Sequence, residues 1–145
     1  MSAPQAAGSY SVARALGELV FTAGMTPRRD GALVTTGLLG AGIGDDEGRQ
    51  LTALATVRAL DAAASILSPG ETIAEVLSLT VYVASTPEFT RHSHIADAAS
   101  AVVGDRMPGT ELPVRATVGV ASLPGGAPVE VQLIARRVVE PSAAR

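Results

Sequence analysis

Two side chains carry most of the chemistry legible in this chain. Arg115 lies in Leu112-Pro113-Val114-Arg115-Ala116-Thr117-Val118-Gly119-Val120-Ala121, and Glu130 lies in Pro128-Val129-Glu130-Val131-Gln132-Leu133-Ile134-Ala135. Both runs alternate with the period of a strand. In the first, Val114, Ala116, Val118 and Val120 point one way, read as the core side, and Arg115, Thr117 and Gly119 point the other. A guanidinium on a stiff strand is a planar, permanently charged fork, suited to holding the carboxylate of a small molecule. In the second run Glu130 falls on the face away from Val129, Val131 and Leu133. The segment Leu123-Pro124-Gly125-Gly126-Ala127-Pro128 reads as the connection between two antiparallel neighbours. The pattern therefore predicts that Arg115 and Glu130 share the non-core face of adjacent strands. A structural ion pair fits that spacing as well as a site does, and spacing alone leaves both open.

The elements that must position this pair follow from periodicity and punctuation. Tyr10–Ala15 alternates weakly, and 18–23 is a β-rich apolar run closed by Gly24. Pro27-Arg28-Arg29-Asp30-Gly31 is a turn, and 32–36 a short strand. A helix is predicted from about Asp46 to Ser68, with Ala53, Val57, Leu60, Ala64 and Leu67 as its apolar stripe and Pro69-Gly70 as its stop. Residues 73–84 read as a long strand. A second helix opens at Ser85-Thr86-Pro87-Glu88 and runs to about Val103, and two strands follow. The order β-β-β-α-β-α-β-β predicts an α+β layer, one sheet with both helices on one face. Residues 1–8 are expected to be a flexible N-terminus, 9–139 one domain, and 140–145 a tail.

Composition narrows the function. The chain has 145 residues, enough for one domain with a core. Only 17% are charged, against roughly 25% in ordinary domains, so part of the surface is expected to be buried against copies of the chain. A net charge of −3 and 3% aromatics argue against nucleic-acid binding, which needs a basic face and stacking platforms. The absence of cysteine excludes disulfides, thiolate nucleophiles and zinc ribbons. No apolar run approaches the roughly 20 residues of a membrane span, and Met1-Ser2-Ala3-Pro4-Gln5 lacks the pattern of a signal peptide. A soluble, cytoplasmic protein is expected.

Other motifs fall away on spacing. Gly40-x-Gly42 is followed by Gly44 and by no Lys-Ser/Thr pair, and Asp45, Asp46 and Glu47 put negative charge where a phosphate would sit. Those acids suit a helix start instead. His92 and His94, two apart on a helix, point about 200° from each other and cannot join in one metal site by i, i+4 spacing. They are read as surface-helix residues.

The segments Gly8-Ser9-Tyr10-Ser11, Leu19 to Pro27, and Val114 to Pro124 with Glu130 six residues beyond resemble the RidA/YjgF/YER057c/UK114 (Rid) family, the reactive enamine/imine deaminases also labelled endoribonuclease L-PSP. The resemblance spans about residues 8–137 and is to a divergent branch rather than to RidA itself. It implies a chorismate-mutase-like fold and a homotrimer with a central barrel. It also implies sites between subunits, with no metal or organic cofactor. By resemblance, Arg115 grips the carboxylate of a 2-imino acid of the 2-aminoacrylate type and Glu130 orients or activates the hydrolytic water. Tyr10, Gly24, Phe89, Ser93 and Thr117 line the pocket, and the products are a 2-keto acid and ammonia. Where RidA-type members have an asparagine, this chain has Ser93, and Thr117 stands where cysteine is frequent. These departures bear on substrate range. A non-catalytic trimer binding small carboxylates is the alternative, and RNA cleavage follows only from the family label.

Overall fold

The computed structural model describes residues 3–139, so the expected tail at 140–145 lies outside the described residues. Residues 3–8 carry no helix or strand, although Pro4 is buried. The elements are β1 (Ala13–Leu16), β2 (Leu19–Thr22), β3 (Arg28–Arg29), β4 (Ala32–Leu33), β5 (Leu38–Leu39), β6 (Gly42–Ile43), α1 (Asp45–Ala64), β7 (Glu71–Ala84), α2 (His92–Arg106), β8 (Val114–Val120) and β9 (Val129–Val139). Five strands form one mixed sheet in the order β1-β2-β9-β7-β8. All pairs are antiparallel except β7 with β8. The short pairs β3–β4 and β5–β6 stand apart from it, so the expected third strand at 32–36 shrinks to two residues of a small ribbon.

Both helices cover one sheet face. Val20, Leu79, Val81, Val83, Val129, Val131 and Leu133 project from it and are fully or almost fully buried, as are Ala55, Ala59, Ile95, Ala99 and Val103 of the helices. Burying such side chains contributes roughly 1.5–3 kcal/mol each for the larger ones. The opposite face carries exposed apolar groups instead: Phe21, Val114 and Val118.

The buried stripe of α1 differs from the predicted one. Gly48, Leu51, Thr52, Ala55, Thr56, Ala59 and Leu60 face inward, and Ala64 is exposed. The two threonines bury because their hydroxyls donate back to the carbonyls four residues earlier, Thr52 to Gly48 at 2.8 Å and Thr56 to Thr52 at 2.7 Å. At Gly48 a Cβ would lie 2.6 Å from Leu39 Cδ1, so glycine lets the helix seat on the β5 loop. The N-cap position is Gly44, with no side-chain cap. Asp45 binds Arg91 instead, at 2.6 and 3.0 Å. α2 starts six or seven residues later than expected, because Thr86 donates its N–H to Leu39 O and a turn to Phe89 tucks that ring into the core.

Candidate functional site

β8 is an edge strand whose register to β7 sets what faces where. Arg115 lies opposite Leu79, Thr117 opposite Val81 and Gly119 opposite Val83. Those β7 residues are buried under the helices. Arg115 and Thr117 therefore face α2, and Val114 and Val118 face solvent, the reverse of the expected parity. Glu130 lies opposite Tyr82 across β9–β7, on the open face, as expected. β8 and β9 are not neighbours, since β7 runs between them. The expectation that Arg115 and Glu130 share one face of adjacent strands is corrected on both counts. Two interstrand spacings across the sheet and three residues along it place their backbones roughly 14 Å apart, with side chains leaving opposite faces.

The Arg115 guanidinium is held from α2. Nη1 donates to Asp97 Oδ1 and to Ser100 Oγ, both at 2.9 Å, and Nη2 donates to Ser93 Oγ at 3.0 Å. The side chain is 18% exposed. Nη2 also donates to Ser93 O at 3.4 Å. Among the described residues only the Nε–H of the fork meets no acceptor, which leaves that single donor for a ligand. Ser93 was expected here. Asp97 and Ser100 were not, although their i+4 and i+7 spacing from Ser93 on a helix would have grouped them.

Glu130 belongs to a second cluster. Met25 and Val131 exchange backbone hydrogen bonds at 2.8 and 2.9 Å, which pins the chain after β2 beside β9. Gly24 then packs against Glu130 so closely that a Cβ would lie 2.5 Å from Glu130 Oε1. No ion pair or hydrogen bond engages that carboxyl among the described residues, and burial pushes its pKa above the usual carboxylate range. Ala23 N–H donates to Val12 O at 2.8 Å, leading the Tyr10 segment in beside Ala23. Tyr10 itself is half exposed, with its hydroxyl accepting from Ala7 N–H at 3.1 Å.

Beyond Ser93 a pocket of about 520 Å³ is lined by Leu38, Ser85, Thr86, Phe89, His92 and Gly119, among others. Phe89 packs edge-on to His92, ring centroids 5.1 Å apart. His92 Nε2 lies 3.3 Å from Ser85 Oγ and directly over Gly119, where a Cβ would come within 2.5 Å of it. His92 is thus half-buried and partnered, not the plain surface residue expected, while His94 is exposed. A cavity of about 470 Å³ elsewhere contains Arg28 and Arg58 and none of these residues. Among the described residues no cluster of acidic or histidine side chains is arranged for a metal ion, and no helix is long and apolar enough to cross a membrane.

A five-stranded mixed sheet with two helices on one face, an arginine fork on its edge and an unpaired glutamate on its back define a two-layer α+β protein of chorismate-mutase-like architecture. The family model Endoribonuclease L-PSP matches residues 1–137, and the chain belongs to that family, the RidA/YjgF group its sequence resembles. Protein TCP17 of Trypanosoma cruzi is 32% identical over 122 residues, covering 81% of this chain and 74% of that protein. Solved structures that share the fold include the following two. A putative endoribonuclease from Shewanella oneidensis superposes with TM-score 0.84 at 24% identity, over 94% of this chain and 90% of that one. E. coli TdcF with bound serine gives 0.67 at 24% identity, over 94% of each chain.

Proposed function

We propose that the protein is a cytoplasmic homotrimeric hydrolase of reactive 2-imino or enamine acids. In this reading the Arg115 cluster of one subunit and the Glu130–Gly24 pair of the next, with Tyr10, meet in a cleft between them. The observation that carries it is the arginine: held by Ser93, Ser100 and Asp97, yet with its Nε–H unpartnered among the described residues. A substrate carboxylate would accept from that Nε–H and share Nη2 with Ser93, with Thr117 and Phe89 beside it. Glu130, half-buried and unpaired, would take a proton from water as the water oxygen adds to the imine carbon. That proton passes to the nitrogen to give a carbinolamine. Glu130 then takes the hydroxyl proton and hands it to the amine as the carbon–oxygen double bond forms and the carbon–nitrogen bond breaks, so ammonia and a 2-keto acid leave. Positioning supplies much of the acceleration, because the imine is already reactive. The reading requires no metal or organic cofactor.

The test is turnover of 2-iminopropionate generated in situ. Arg115→Ala should abolish it, and hydrolysis at the parental rate would refute the clamp. A non-catalytic binder of small carboxylates is a second reading, favoured by the serine bound in the structure of TdcF. It predicts thermal stabilisation by a small keto acid, lost in Arg115→Ala, without imine hydrolysis. RNA cleavage has the family label in its favour and a net charge of −3 against it.

A further inference from the structure

We infer that Asp97 makes the Arg115 site selective for the charge of the substrate's side chain, a conclusion that rests on the carboxylate-clamp reading. The guanidinium already has one carboxylate at 2.9 Å, so the pair is close to neutral before any ligand arrives. Asp97 uses Oδ1 for Arg115, and its side chain is 59% exposed, which leaves its other carboxylate oxygen in solvent next to the clamp. A ligand carboxylate on the Nε edge finds attraction from the fork and repulsion from Asp97 a few ångströms further on. A second negative group on the ligand meets that repulsion again, whereas a cationic group is drawn to Asp97. Among the described residues the ion pairs are Arg91–Asp45, Arg136–Glu75, Arg137–Glu71 and this one, and only this one stands at the clamp. Ser93 and Ser100 are uncharged and fix the guanidinium without altering the balance. Asp97 is thus a specificity-determining residue, and the preferred substrates are imino acids with a cationic side chain, then uncharged ones, then acidic ones.

The experiment compares the 2-imino acids made by oxidising arginine, leucine and glutamate in situ, with the parent protein and with Asp97→Asn. The asparagine keeps an oxygen for Arg115 and removes only the charge. In the parent, kcat/KM should fall in that order, by about tenfold or more from the first to the last. In Asp97→Asn the order should collapse, with the glutamate-derived substrate improving about tenfold, chiefly through KM. A merely structural role for Asp97 would lower all three together, and that result, or an unchanged ranking, overturns the inference. If the parent hydrolyses none of the three, the deaminase reading fails. The charge inference is then judged by calorimetric binding of the three corresponding 2-keto acids. It stands if Asp97→Asn binds the acidic one about tenfold tighter than the parent does, and it falls if binding is unchanged or absent in both proteins.

Discussion

Arg115 and Glu130 leave opposite faces of the same sheet, two strands apart, with β7 between them. A site that uses both must draw one from each of two copies. Arg115→Ala and Glu130→Gln should each be inactive alone. When the two variants are denatured together and refolded as mixed assemblies of the proposed kind, about a quarter of the sites should pair an intact arginine with an intact glutamate. Imine hydrolysis near a quarter of the parental rate is the expected result. A mixture as dead as its components would place the working pair inside one subunit.

Gly24 sits where a Cβ would press on Glu130 Oε1. The carboxyl is the flexible end of its side chain, so Gly24→Ala should displace it rather than unfold the protein. A shift of an ångström at a reacting group costs up to roughly a hundredfold in rate. The expectation is a loss of about ten- to a hundredfold in kcat/KM with the melting temperature little changed. A large drop in melting temperature with normal kinetics in the surviving protein would argue against a role for that contact.

His92 rests on Gly119 in the same manner, but here the atoms in the way belong to a stiff ring lodged beside Phe89 and Ser85. Gly119→Ala should destabilise by about 1–3 kcal/mol, the usual range for overpacking. Adding His92→Ala should recover part of that loss, so the double variant is less unstable than the two single changes summed. Urea denaturation of the four proteins measures this, and strict additivity would mean the ring is not what the new methyl meets.

The raised pKa of Glu130 fixes the sign of a pH effect. Burial makes the folded protein hold this proton more firmly than the unfolded chain, whose glutamates titrate near about 4.3. The favourable contribution is complete below that value and is lost as pH rises through the folded value. Glu130→Gln, which never ionises, should therefore be more stable than the parent at pH 7 and no more stable at pH 3. Denaturation midpoints at the two pH values decide it; the same difference at both would mean that ionisation is not its source.

The sequence carried the layer architecture well. Helices and strands announced themselves through periodicity, and Arg115, Ser93 and Glu130 were all legible as candidates. Strand parity grouped Arg115, Thr117 and Gly119 correctly but could not say which face was covered. β8 is an edge strand, and its valines lie on the exposed side, so hydrophobicity pointed the wrong way. Partner choice was equally hidden. The Gly-rich stretch after β8 looks like a hairpin connection, yet α2 returns the chain parallel to β7, and β9 goes to the other side of it. Turn chemistry is local, whereas strand order is decided by where helices can pack. The α1 stripe was misread because threonine counts as polar until its hydroxyl is known to be satisfied within the helix.

β9 is hydrogen-bonded on both sides, to β2 from the start of the chain and to β7 from its middle. It is made after every other strand and helix among the described residues. Until Val129–Val139 is made, the β1–β2 hairpin and the β7–β8 pair have no ladder joining them, and the inward valines of the sheet lack their central row. The nascent chain carries those surfaces uncovered until then, so the sheet closes only once Val129–Val139 has emerged. A stop codon anywhere ahead of Val129 would leave two fragments of sheet with nothing to knit them.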